Sequence, residues 1–350
     1  MRALAGSLRG EKIMTMPLPK PPVKLDHVLD DAGLVRRLAT ANAPYAPVQR
    51  YFANMQEQAA LGGPRAKSKV EAKAAVSDAE GILVAPWFRG DWAYDTPSLP
   101  GVEALLHNEA FRGAARKVFG GAIVRPQIVY INLNLPVPFY DGSHTDIPAF
   151  RGVDRTRYPV WLLVTMGRSG LFERWRIRIA TAVSWWFEGE GGEFTYWPDG
   201  PDAPPITLPP TSNTAVVGDN DFMFHRVEKV GPEGVDLLEG MTLDSNLGPV
   251  NEREWAVTDR DRELSRLPFE DIRISVSWKA QVFEDQAEMR CVDEHLDDIG
   301  IEEVFSMLLA DLETKGVEAN LPDDPLHDPN FVATLSAVYQ IKPTVQPARQ

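Results

Sequence analysis

Cysteine occurs once in 350 residues, at Cys291, which excludes an intrachain disulfide and a cysteine-rich zinc site. Basic residues are also scarce: 36 Lys and Arg stand against 50 Asp and Glu, a net charge of -14. Such a surface repels phosphate backbones on average, so no nucleic-acid partner is expected. Residues 151–157 and 174–178 are the only basic stretches, and both are short and interrupted. No run approaches the roughly 20 apolar residues that span a bilayer, and residues 1–12 lack the apolar stretch of a secretory signal. A cytoplasmic protein with no membrane partner is therefore expected. What the chain does have is 44% hydrophobic and 25% charged residues, enough for a packed core of ordinary size.

Along the chain, the run Pro17-Leu18-Pro19-Lys20-Pro21-Pro22 predicts an extended, flexible leader over residues 1–24. Residues 25–120 read as a helical N-terminal cap, clearest where Val102, Leu105, Leu106, Ala110 and Val118 recur at helical spacing before Gly120-Gly121. Short runs rich in Val, Ile, Phe and Trp then follow at 123–135, 176–187, 214–217, 222–230 and 272–283, which predicts a mainly β sandwich or barrel over residues 121–290. Six prolines within residues 198–210 predict a surface loop. The charged, weakly periodic stretch 231–270 reads as an insert or lid, and residues 291–350 as a helical C-terminal extension carrying Ile301, Val304, Leu308, Leu309 and Leu312.

With one cysteine, any metal site must draw on six histidines and on carboxylates. His295-Leu296-Asp297 lies in an acidic run at the start of an expected helix, where residues two apart diverge, and His107 and Glu109 share that defect. His144-Thr145-Asp146 differs. It follows a strand and the turn Tyr140-Asp141-Gly142-Ser143, and in extended chain alternate side chains share a face, so this pair can chelate. Two histidines and one carboxylate on one face of an Fe(II) ion leave positions open for a co-substrate and oxygen. The second histidine is His225, in the alternating segment Asp221-Phe222-Met223-Phe224-His225-Arg226-Val227 after the turn Gly218-Asp219-Asn220. Taken alone, His225 reads more readily as a core histidine bonded to backbone.

In their order these motifs resemble the iron(II) and 2-oxoglutarate dependent oxygenases, whose core is a double-stranded β-helix, or jelly roll. Tyr130-Ile131-Asn132 precedes His144-Thr145-Asp146; Ala180-Thr181-Ala182-Val183-Ser184-Trp185-Trp186 leads into Gly191-Gly192-Glu193-Phe194. Ala215-Val216-Val217-Gly218 with His225-Arg226-Val227 is similar to the strand carrying the distal histidine, and Asp271-Ile272-Arg273-Ile274-Ser275-Val276-Ser277-Trp278 to the strand carrying the keto-acid anchor. The resemblance spans about residues 120–285. It implies Fe(II) on His144, Asp146 and His225, with 2-oxoglutarate held by Arg273 and Ser275 and contacted by Tyr130 and Asn132. The planar guanidinium of Arg273 suits a carboxylate, since it offers two parallel charge-assisted hydrogen bonds. The resemblance further implies molecular oxygen as co-substrate and hydroxylation of a small-molecule or amino-acid/peptide-type substrate, with release of succinate and CO2. Asp146 stands where the family's halogenases have a small residue, which implies hydroxylation or desaturation over halogenation.

One spacing departs from the family pattern. Arg273 lies 48 residues past His225, which makes 231–270 an insert, and the nearer Arg226 alternates onto the face opposite His225. Tyr130, Asn132 and Asn134 form a polar row opposite Val129, Ile131 and Leu133, and the tryptophans at 161, 175, 185, 186, 197 and 278 read as core. Three other readings stay open on sequence alone: a keto-acid-independent, cupin-like metal oxygenase; a non-catalytic jelly-roll binding module with His144 and His225 in its core; and an interaction protein using its acidic surface.

Overall fold

The computed structural model describes residues 16–48, 84–139 and 142–347. Its framework is one large antiparallel sheet. Strand β16 (Arg273–Phe283) lies at the centre, between β5 (Ile123–Asn134) and β8 (Ile179–Trp186). The β8 side continues through β11 (Thr214–Gly218) to β1 (Val23–Leu25), and the β5 side through β3 (Trp87–Tyr94) to β2 (Ala46–Pro47) with the short β4 (Thr96–Pro97) beside β3. The small pair β6 (Ala149–Phe150) and β7 (Arg176–Ile177) stands apart.

A second sheet, β9 (Phe194–Tyr196) between β10 (Ile206–Leu208) and β12 (His225–Val227), faces the first. Trp185, Phe194, Tyr196, Val216 and Met223 fill the space between them, with the Trp185 and Phe194 rings 5.4 Å apart. The segment around His144 runs along the free edge of β12, joined by reciprocal backbone bonds between His144 and His225 of 3.0 and 2.9 Å. The expected mainly β, double-stranded β-helix core is the observed fold.

Alternation along the central strands separates the two faces of the large sheet. On the outer face Val129, Ile131 and Leu133 of β5 join Ile274, Val276, Trp278 and Ala280 of β16 in one apolar cluster. The helices α1 (Leu34–Ala41), α2 (Glu103–Leu106) and α3 (Glu109–Phe119) supply Val35, Leu38, Leu105, Leu106 and Phe111 to that cluster. Helix α3 starts at Asn108, whose side chain accepts from the Phe111 N–H, and stops at Gly120 with φ 70°. Trp278 donates its indole N–H to the Leu106 carbonyl at 2.8 Å.

Several expectations need correction. The chain at residues 16–24 is extended but packed: Met16 is buried against Trp197, Phe222 and Phe224, and β1 pairs with β11. The partners are some 200 positions away, beyond the reach of local pattern. The stretch expected as a helical cap also contains β3, hidden in the sequence because a register shift at Asp91/Ala93 breaks the alternation; residues 49–83 of that stretch lie outside the described residues. The proline loop contains the short strand β10, which pairs with β9.

Residues 231–270 include three strands, β13 (Ser245–Pro249), β14 (Glu254–Asp259) and β15 (Arg262–Pro268), whose Leu247, Trp255 and Val257 enter the main core. Toward the C-terminus, α5 (Gln286–Asp293) follows β16, and α6 (Ile301–Thr314) and α7 (Pro329–Val338) form a second apolar cluster with α4 (Val160–Ser169). Among the described residues no helix is long and apolar enough to cross a membrane.

Candidate functional site

The bridge between His144 and His225 sets their rings 4.6 Å apart, centroid to centroid. Each ring is fixed from behind: His144 Nδ1 donates to the Gly142 carbonyl at 2.9 Å and His225 Nδ1 to the Met223 carbonyl at 3.0 Å. With the proton on Nδ1, both imidazoles carry their lone pair on Nε2, the arrangement that orients a metal-ligating histidine. Burial, with His144 alongside, pulls the His225 pKa down to about 4. It is therefore neutral and able to donate a lone pair at ordinary pH.

Asp146 is placed by its backbone N–H, which donates to the Asn220 carbonyl at 2.8 Å. Its carboxylate Oδ2 accepts from Lys279 Nζ at 2.6 Å and from Thr181 Oγ1 at 3.2 Å. Burial pushes its pKa up, but Lys279 and the two histidines outweigh that and hold the group well below the usual carboxylate range. Oδ1 has no hydrogen-bond partner among the described residues.

No three His, Cys, Asp or Glu side chains among the described residues close on a single point as a finished metal cage. The donor chemistry still fits a divalent cation: two imidazoles with fixed tautomers and one ionised carboxylate with an uncommitted oxygen.

The inner face of the large sheet leads away from this cluster. Arg273, Ser275, Ser277 and Lys279 alternate along β16, beside Asn134, Asn132 and Tyr130 of β5 and Trp185, Val183 and Thr181 of β8. Thus Arg273 and Ser275, buried, and Tyr130 and Asn132, half-buried, share the face of the sheet whose Lys279 and Thr181 contact Asp146. Among the described residues no hydrogen bond reaches the side chains of Asn132, Asn134, Ser275 or Ser277.

Arg273 is 0% exposed; its Nε donates to the Gly192 carbonyl at 2.6 Å, and Nη1 and Nη2 have no hydrogen-bond partner among the described residues. Burial lowers its pKa to about 9, with Glu193 opposing, so the fork stays charged at neutral pH. Gly192 is required here. Its φ is +70°, and a Cβ would meet Arg273 Cδ at 2.5 Å. The nearer basic residues are engaged elsewhere: Arg226 with Glu228 and Gln346, Lys229 with Glu233.

Lys279, Thr181 and Asn220 were not among the sequence candidates. The signal for Lys279 was present, since Arg273, Ser275, Ser277 and Lys279 continue a single alternation. Beneath the site, buried Arg176 pairs with Asp219 and, at 3.5 Å, with Asp221, and its guanidinium lies 3.9 Å from the Phe222 ring centroid. This cluster fixes the turn that carries Asn220. Burial raises the Asp221 pKa to about 7, with Arg176 opposing and Asp219 adding to the rise.

No family model matches the chain, and no curated protein matches it in sequence. Among solved structures it is similar to a 2OG-Fe(II) oxygenase family oxidoreductase from Burkholderia pseudomallei, at 15% identity and a TM-score of 0.40 over 75% of this chain and 85% of that one. It is similar also to a prolyl-4-hydroxylase from Pseudomonas putida, at 15% identity and a TM-score of 0.35 over 76% of this chain and 94% of that one. A third is HygX from Streptomyces hygroscopicus, solved with nickel, 2-oxoglutarate and hygromycin B, at 10% identity and a TM-score of 0.29 over 56% of this chain and 70% of that one.

Proposed function

We propose that this protein is an Fe(II)- and 2-oxoglutarate-dependent oxygenase that hydroxylates a small-molecule or amino-acid/peptide-type substrate. The observation that carries the reading is Arg273: a fully buried guanidinium with both terminal nitrogens unpartnered among the described residues, reaching from the large sheet to Gly192 beside the sheet that carries His225. An unpaired buried charge is costly, and a dianionic keto acid offset against it explains why it persists. A non-catalytic module, or an oxygenase without a keto acid, leaves Nη1 and Nη2 of Arg273 without a hydrogen-bond partner.

In this reading His144 and His225 offer Nε2 and Asp146 offers Oδ1 to the metal. Arg273 grips the distal carboxylate of 2-oxoglutarate with its fork, and Ser275, Tyr130 and Asn132 supply neutral hydrogen bonds along its length. When bound, Fe(II) with 2-oxoglutarate supplies the oxidising chemistry that couples release of succinate and CO2 to substrate hydroxylation by molecular oxygen. Arg273, Ser275 and His225 are buried, where a charge contact is stronger than in water.

The test is anaerobic. Adding Fe(II) and then 2-oxoglutarate to metal-free protein is expected to give a weak visible charge-transfer band that is absent in His225→Ala. Iron binding without any spectral response to the keto acid would contradict the proposal and favour the keto-acid-independent enzyme.

A further inference from the structure

The proposed chemistry leaves one half-buried cation unused. Lys279 Nζ lies 2.6 Å from Asp146 Oδ2 and 3.1 Å from Thr181 Oγ1, while Thr181 Oγ1 in turn donates to Asp146 Oδ2 at 3.2 Å. Lys279 and Thr181 are direct neighbours across β16 and β8, so the sheet itself builds this triangle. An ammonium beside a divalent cation is repulsive, and in a low-dielectric interior the repulsion is not small. Its presence needs an account that the metal and keto acid do not give.

The account lies in how the carboxylate is divided. Lys279 and Thr181 both hold Oδ2, whereas Oδ1 has no hydrogen-bond partner among the described residues. Without metal, Asp146 would be a half-buried carboxylate beside two imidazoles, and the ammonium neutralises it. With metal, the same contact keeps Oδ2 occupied and leaves one oxygen to ligate. We propose that Lys279 is a positioning residue with two effects: it is the counter-ion that keeps Asp146 in place in the metal-free protein, and it confines Asp146 to single-oxygen ligation of the metal. This inference rests on the metal reading above.

The two effects have opposite signs, which separates them from a merely structural role. In Lys279→Met the metal-free protein is expected to melt at lower temperature. The same variant is expected to bind Mn(II) more tightly, by roughly ten-fold or more, because a repelling charge is gone and Asp146 gains a second free oxygen.

Mn(II) calorimetry on the full chain and thermal melting without metal measure both. Lys279→Arg, which keeps the charge, should stay near wild type on both measures. Asp146→Asn combined with Lys279→Met should recover part of the lost thermal stability. If Lys279→Met does not fold, Lys279→Gln removes the charge with a milder change and must show the same tighter binding. Unchanged or weaker Mn(II) binding in the folded neutral variant would overturn the role of Lys279 alone. Absence of Mn(II) binding to wild type would overturn the metal reading itself.

Discussion

Strand β16 has two faces, both buried, with opposite chemistry. Ile274, Val276, Trp278 and Ala280 are at most 1% exposed and pack under the N-terminal helices; Arg273, Ser275 and Ser277 are at most 4% exposed and point between the sheets. The apolar face is explained by packing alone. The polar face is not, because buried polar groups are normally satisfied by protein, and here Arg273 Nη1 and Nη2 are left without partners. The contrast teaches that alternation in a strand need not mean one wet face: the polar side can be an interior reserved for a ligand.

Substitutions on the two faces should break this comparison in different ways. Trp278→Ala on the apolar face is expected to cost about 3–5 kcal/mol of stability, read by denaturant unfolding, as a large buried aromatic does. Behind the polar face, Gly192→Ala is expected to cost about 1–3 kcal/mol from the positive φ and to weaken 2-oxoglutarate binding as well, since the new Cβ displaces Arg273. Loss of stability with keto-acid affinity unchanged would show that Arg273 is not the anchor.

A smaller effect sharpens the electrostatics. Burial holds the Asp221 pKa at about 7 in the fold against an ordinary 3.8, so its contribution is fully present below pH 3.8 and is lost as pH rises through 7. Wild type should therefore lose stability between about pH 4 and pH 7.5 relative to Asp221→Asn, and parallel melting curves would refute that assignment. The smallest effect is Gly113→Ala in α3, where nothing lies within 4 Å of the new Cβ. There a gain of about 0.5–1 kcal/mol is expected from helix propensity alone.

The pairing of His144 with Asp146 was legible in the sequence because they alternate next to a turn, as were the separate polar rows of Arg273 with Ser275 and Tyr130 with Asn132; that His225 joins the pair came only from the order of motifs that resembles the oxygenases. What was not legible depended on distant partners or broken periods. Met16 and Val23 look like tail because their neighbours, Trp197 and Val217, are far along the chain. Strand β3 is masked by its bulge, and the three strands within 231–270 by charged residues on their exposed sides. Lys279 escaped notice because a lysine beyond Trp278 reads as solvent-facing until Asp146 and Thr181 are seen opposite it.

In the proposed function the unpartnered fork of Arg273 is the seat of the keto-acid carboxylate. Anaerobic calorimetric titration of 2-oxoglutarate into Fe(II)-loaded wild type and Arg273→Leu tests it most directly. Affinity in the variant is expected to fall by roughly 100-fold or more while its melting temperature does not drop, because an unpaired buried charge has been removed. Equal affinity in the two proteins would contradict the account.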